Sequence, residues 1–307
     1  MKRNITLISF LVILTGLVLW MVKNDRSTSS NINSGKLSVV ASFYPLYFFA
    51  SEIGGDKAQV INITPAGAEP HDFEPTPQDL VKMESSRLIV LNGGGLETWQ
   101  KNVEKNINPK NTQIVVAGEG LTMQQATENG QGGVDPHVWL SSVLAQKMVD
   151  KIAQSFVQVD PVSKDYYNAN AAGLKNKLME LDAQYRNGLK SCAKKDIITA
   201  HSAFAYLAAE YGFKQVSIAG LSPDAEPSSS QLASLAKFAK DNGVKYIFFE
   251  SLASPKLAET LASEIGAQTL VLDPLEGLST EDMSRGKNYL TVMQDNLTNL
   301  RTALECQ

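Results

Sequence analysis

The chain has 307 residues, of which 43% are hydrophobic and 20% charged. That is enough apolar material to bury one or two cores of ordinary size, and it excludes a disordered or collagen-like chain. It carries 28 basic and 32 acidic side chains, and four of the basic ones (Lys2, Arg3, Lys23, Arg26) but only one acid (Asp25) fall in the first thirty residues. The remaining body is acidic, the wrong sign for a nucleic-acid partner, whose phosphates are bound mainly by Lys and Arg.

Lys2 and Arg3 precede an uncharged run over residues 5–22. A basic flank followed by an apolar run is an export signal with the N-terminus held inside. A cleavable signal has an apolar core of about 7–15 residues and small residues at the cut. Here Leu19-Trp20-Met21-Val22-Lys23 offers no such site, and no cysteine lies near the run for lipid attachment. The expectation is an uncleaved signal-anchor and tether over residues 1–35, with cleavage in the polar stretch 27–35 as the alternative. Either way the body is expected outside the cytoplasm, in the periplasm or on the outer face of the cytoplasmic membrane.

Strand-like and helix-like runs then alternate, the pattern of an α/β fold. Strands are expected at 37–41, 60–63, 88–91 and 114–116, and helices at 45–53, 78–84 and 139–157. The polar, glycine-rich stretch 128–134 reads as a loop. Asp160-Pro161 opens a long helix, with the acid as cap and proline in the first turn. Along it Tyr167, Ala171, Leu174, Leu178, Leu181, Tyr185 and Leu189 recur at three- and four-residue steps. This is one apolar stripe through about eight turns, or ~40 Å at 1.5 Å per residue. Such a helix is long enough to serve two halves as a spine. Strand–helix alternation restarts beyond it, with strands at 197–200, 216–218, 246–249 and 269–272 and helices at 203–211, 229–242 and 255–265. Apolar strands separated by helices imply parallel sheets covered on both faces. The layout predicts an α/β lobe over 36–160, a linking helix over 161–190 and a second α/β lobe over 191–307.

There are only three histidines. His71 sits in Glu69-Pro70-His71-Asp72, and His137 in Asp135-Pro136-His137; both follow an acid and a proline. A carboxylate beside an imidazole can engage one ring nitrogen and leave the other free for a metal. His201 lies just past one strand and Asp273 just past another, and in open α/β sheets ligands bind beyond the carboxyl ends of strands. Three imidazoles and a carboxylate can make a four-coordinate zinc site, whereas magnesium and calcium prefer all-oxygen shells. Glu250 also ends a strand and is a candidate to support or join such a site. Glu69 is the spare carboxylate nearest a histidine. Gly93-Gly94-Gly95 follows a strand but lacks the lysine of a phosphate loop and reads as a tight turn. No Gly-x-Ser-x-Gly elbow surrounds Ser202. Trp99 and Trp139 read as packing residues.

Phe43-Tyr44-Pro45-Leu46-Tyr47 with Ile53-Gly54-Gly55-Asp56 resembles the start of the metal-binding solute-binding proteins of bacterial ABC importers, the ZnuA/TroA type. Residues 67–75, 92–99, 135–140, 199–206 and 226–230 resemble further segments of that family in its order, so the likeness covers about residues 37–300. It implies two Rossmann-like α/β lobes with parallel sheets, joined by one rigid backbone helix, with metal held in the cleft between them. It implies His71, His137, His201 and Asp273 as ligands. Manganese-selective members tend to carry glutamate at the third position, so His201 points to Zn²⁺ as the transported ion, with Mn²⁺ the alternative. Zinc-specific members often have a long histidine-rich loop ahead of the second ligand, and residues 122–134 contain no histidine.

The reading is an extracytoplasmic receptor, expected to be a monomer, that delivers zinc to the permease and ATPase of an importer. A zinc-dependent hydrolase and a metal-dependent adhesin are the rivals. A closed four-ligand set leaves no position for a reacting water, which argues against an enzyme. Export and an even cysteine count predict a disulfide between Cys192 and Cys306.

Overall fold

The computed structural model describes residues 35–121, 125–128, 131–223 and 227–307, with only the backbone given for 125–128 and 131–133. The expected membrane anchor and its tether up to Ser34 lie outside the described residues, as does Glu226.

The first half builds β1 (Leu37–Ala41), α1 (Tyr44–Gly54), β2 (Ala58–Asn62), α2 (Pro77–Ser85), β3 (Leu88–Leu91), α3 (Gln100–Asn106) and β4 (Gln113–Val116). Its four strands pair in parallel in the order β2-β1-β3-β4. The strands are apolar on both faces, as burial beneath two helical layers requires. Val39, Ala41, Leu88 and Val90 point into one core, while Val40, Ile89 and Leu91 point the other way, against Met83, Trp99 and Val103. A threonine cap opens α2: Thr76 accepts the Asp79 N–H while Asp79 takes the Thr76 N–H, a reciprocal pair that satisfies two donors of the first turn.

Two short strands, β5 (Gln125–Glu128) and β6 (Gln131–Val134), pair antiparallel where a loop is expected. Gly132 and Gly133 have no side chains to show the two-residue alternation, so the ribbon has no signature in the sequence. The expected helix at 139–157 is also divided. Val138–Leu140 forms a single 3-10 turn, and α4 (Ser142–Val159) starts afresh from Ser141, whose hydroxyl accepts the Leu144 N–H.

After a 3-10 turn at Pro161–Ser163, α5 runs from Lys164 to Gly188. It begins three residues later than Asp160-Pro161 suggests, and Asp160 instead accepts the Tyr167 hydroxyl at 2.7 Å. Twenty-five residues give ~38 Å of helix. The predicted stripe is buried along its length, from Tyr167 at 0% exposed to Tyr185 at 0%. It packs on α1 and α4 of the first half and on the last helix of the second. The Asn170 amide donates to the Ile53 carbonyl at one end, and the Tyr185 hydroxyl donates to the Met293 carbonyl at the other. One core therefore runs from the first sheet through α5 to the second.

The second half contains β7 (Asp196–Thr199), α6 (Ala205–Tyr211), β8 (Lys214–Ser217), α7 (Ser229–Asn242), β9 (Tyr246–Phe249), α8 (Lys256–Ile265), β10 (Gln268–Val271), α9 (Thr280–Ser284) and α10 (Tyr289–Ala303). Its strands are again parallel, in the order β10-β9-β7-β8. Ile197 and Phe248 face the shared core; Ile198 and Ile247 face a separate cluster under α7 and α8. Together the two sheets and their helices form a two-lobed α/β protein.

Cys192 and Cys306 form a disulfide. Around it the chain end pairs with the segment that enters β7: Ala193 and Lys194 donate to the carbonyls of Glu305 and Leu304, and Gln307 donates to Ser191. The bond closes a loop of 114 residues, which in the chain-entropy account is worth on the order of 4–5 kcal/mol. Replacing both cysteines with alanine should lower unfolding stability by about 3–5 kcal/mol, measured by urea titration, with a steeper slope because the freed unfolded chain exposes more surface. A loss under 1 kcal/mol would show that the backbone pairing alone holds the C-terminus.

Candidate metal centre

Three of the four groups that converge in the cleft follow parallel strands. His71 lies on the loop after β2, His201 two residues beyond β7, and Glu276 on the loop after β10, while His137 enters from the segment between β6 and α4. Each half contributes two groups. The His137 Nε2 lies 3.3 Å from that of His71 and 3.4 Å from that of His201. Glu276 Oε1 lies 3.2, 2.9 and 3.3 Å from the Nε2 atoms of His71, His137 and His201. All four atoms fall within 4.8 Å of one another. A tetrahedral metal with bonds of about 2.0–2.1 Å holds its ligand atoms about 3.3 Å apart, so the set has the size of a four-coordinate shell.

Two imidazoles are fixed from behind. Asp135 Oδ1 sits 2.7 Å from His137 Nδ1 and also accepts the His137 N–H. Glu250 Oε1 sits 2.6 Å from His201 Nδ1 and accepts the His201 N–H. Each carboxylate therefore holds both the ring and its backbone, and turns Nε2 toward the centre. Glu69 accepts the His71 N–H at 3.2 Å without reaching the ring nitrogens that face the cluster. Burial, helped by the charge of Glu276, pushes the Glu69 carboxyl up to about 8.

The cluster is dry. The side chains of His137 and His201 are 0% exposed and that of Glu276 2%, against 12% for His71. Burial alone would lower the His137 imidazole, but its hydrogen bonds to Asp135 and Glu276 outweigh this and hold it above its ordinary 6.5. Burial also opposes the charge on His201, yet Glu276 and Glu250 raise it well above 6.5. The same attraction holds Glu276 well below the usual carboxylate range despite its burial.

The sequence points to Asp273 as the carboxylate, but the structure brings Glu276 to the imidazoles instead. Asp273 shapes the turn that presents it. Its Oδ1 accepts the Leu275 N–H at 2.7 Å, and Asn296 of α10 clamps its backbone from both sides. Leu275 is buried with φ of 60°, a left-handed conformation that non-glycine residues hold only when their surroundings enforce it. That reversal carries the chain past the strand end and aims the acid three residues later into the cleft. The left-handed leucine has no signature in the sequence, so an acid at the strand end is the more visible candidate.

The two halves are also joined independently of the cluster. The Trp139 indole N–H donates to the Pro274 carbonyl at 2.8 Å, and the Tyr206 hydroxyl to the Asp135 carbonyl at 2.9 Å. The Tyr289 hydroxyl donates to the Trp139 carbonyl, and its ring stacks on Phe48. Trp139 is thus more than packing: it fastens the His137 segment to the Glu276 loop. Trp139→Phe keeps most of the ring volume but leaves the Pro274 carbonyl unpaired. It should cost about 1–3 kcal/mol in urea unfolding, whereas the same exchange at the buried Trp99, whose ring meets Phe73 of its own half, should cost less. Equal losses would deny the bond any special weight.

The chain matches the family described as zinc-uptake complex component A, periplasmic, over residues 39–303. It is 45% identical over 287 residues to the high-affinity zinc uptake system protein ZnuA of Bacillus subtilis, covering 90% of each chain. It is 37% identical over 321 residues to the zinc-binding protein AdcA of Streptococcus pyogenes, covering 98% of this chain but only 61% of that longer protein. The crystal structure of the Zn(II)-bound ZnuA-like domain of Streptococcus pneumoniae AdcA superposes with a TM-score of 0.78 at 40% identity, covering 88% of this chain and 100% of that one. With a family match that spans nearly the whole described chain and a two-lobed fold to go with it, this protein belongs to the zinc-uptake complex component A family of solute-binding receptors.

Proposed function

We propose that the protein is an extracytoplasmic receptor that binds one Zn²⁺ through the Nε2 atoms of His71, His137 and His201 and the carboxylate of Glu276, and delivers it to the permease of an ABC importer driven by its ATPase. The observation that carries this reading is the convergence of three imidazole nitrogens and one carboxylate oxygen, from both halves, at the spacing of a tetrahedral shell. Three nitrogens and one oxygen suit zinc better than manganese, which favours more oxygen and a higher coordination number. A disulfide-bearing body fits an oxidising compartment. The zinc names of the relatives support the choice of ion.

Carriage rather than hydrolysis follows from the same closed set. Four protein ligands leave no position where a bound water can be activated.

Isothermal titration with competing chelator tests the ligand set. Glu276→Ala should weaken zinc binding by about 100-fold or more, beyond the roughly 10–100-fold of supporting groups. Asp273→Asn should stay within a few-fold of wild type, because the amide oxygen can still accept the Leu275 N–H. The opposite order would return the ligand role to Asp273.

Protons compete with the metal for these imidazoles. Because His137 and His201 titrate above 6.5 in the metal-free protein, zinc affinity should keep rising with pH through neutrality rather than levelling at 6.5. In the metal-free state the sign is reversed. The charged imidazoles stabilise the fold fully below 6.5 and lose this as pH climbs through their raised values. Glu276 contributes above 4.5 and loses it as pH falls through its depressed value. The metal-free cluster is thus most favourable between 4.5 and 6.5. Calorimetry in buffers of differing ionisation enthalpy should register proton release on zinc binding at pH 7; zero release there would contradict the raised imidazoles.

A further inference from the structure

The triple glycine Gly93-Gly94-Gly95 and the buried acid that follows it have no part in the ligand shell, yet they lie between the two ligand-bearing segments of the first half. All three glycines have positive φ, at 81°, 68° and 90°. A Cβ at Gly93 would come within 2.5 Å of the Val116 side chain. The turn therefore depends on glycine, and it folds Glu97 back over the end of β3. Glu97 is 5% exposed. Its Oε1 accepts the Asn92 N–H at 2.7 Å and the Ser42 hydroxyl at 2.6 Å, and its Oε2 accepts the Gly93 N–H at 2.9 Å.

Two of those partners, Asn92 and Ser42, lead to different ligands. The Asn92 amide donates to the Pro136 carbonyl at 2.9 Å, one residue before His137. The Ser42 carbonyl accepts both the backbone and the hydroxyl of Thr64, where the loop bearing His71 departs from β2. Beside Glu97, the Thr98 hydroxyl donates to Glu74, and the Trp99 ring meets Phe73 edge-on, both on the far side of the His71 loop. We infer that Glu97 is a positioning residue that holds the His71 loop and the His137 segment in mutual register, so that both imidazoles reach one metal ion. This rests on the zinc-site reading above. Glu97 touches no ligand side chain and acts only through Asn92, Ser42 and their hydrogen bonds.

Glu97→Gln preserves shape but places an amide N–H group against backbone donors. Asn92→Ala leaves the backbone contacts of Glu97 in place and removes the amide's bonds to the Pro136 and Gly93 carbonyls. Val103→Ala, in the outer core of the same half, serves as a control for lost stability. The full chain and these variants are titrated with zinc against a chelator, and their visible spectra are recorded at saturating Co²⁺, whose bands report coordination geometry. Both test variants should bind zinc about 10–100-fold more weakly, the usual cost of losing a group that orients a ligand. Both should shift or weaken the cobalt bands, and the double variant should lose less than the product of the single effects. Val103→Ala should keep the wild-type spectrum even where its melting temperature falls as far. Should Glu97→Gln not fold, Asn92→Ala decides the matter. Zinc affinity within threefold of wild type, or a loss matched by Val103→Ala with the cobalt bands unmoved, overturns the inference. Failure of the wild type itself to bind zinc would overturn the site reading instead.

Discussion

Everything at the centre of this protein follows from bringing one carboxylate within hydrogen-bond distance of three imidazoles in a cleft that opens to solvent only beside His71. Without a metal, such a group is stable only if protons supply the missing positive charge. That is why the imidazoles of His137 and His201 are held high and the Glu276 carboxyl low. A divalent cation replaces those protons with a charge at the middle of the cluster, where every ligand atom already points. The supporting carboxylates Asp135 and Glu250 keep the nitrogen lone pairs aimed there in either state. Little rearrangement separates the protonated cluster from a metal-bound one.

The frame around the cluster resists deformation in the same spirit. A single ~38 Å helix packs on both halves through one apolar stripe. In the buried joint between the halves, Trp139, Tyr206 and Tyr289 pair with backbone carbonyls across the divide. Any hinge motion that parted the halves would expose or orphan those carbonyls, a cost of the order of a lost buried hydrogen bond for each. The two pairs of converging side chains are therefore held at nearly fixed separation by groups outside the cluster.

Much of this is legible in the residues. The parallel strands stand out because both of their faces are buried, which leaves short uninterrupted apolar runs. The spine stands out because its stripe from Tyr167 to Tyr185 keeps helical spacing throughout. The histidines stand out by scarcity and by their place beyond strand ends. What remains hidden depends on backbone geometry rather than residue type. Leu275 turns left-handed, so the acid that faces the imidazoles is Glu276 and not the more obvious Asp273. Ser141 interrupts an otherwise continuous helical pattern with a cap. The β5–β6 ribbon pairs through glycines that carry no periodic signal. The α10 helix escapes notice because buried Asn296 interrupts its apolar stripe, and that asparagine is what grips Asp273.

The four ligand atoms are unequally shielded, since three belong to side chains sealed from solvent and only His71 stays partly exposed. This asymmetry separates speed from strength. With zinc bound as proposed, water and competing chelators would reach it past His71 alone, so exchange would start at that ring and the loop over residues 63–76 would set its speed.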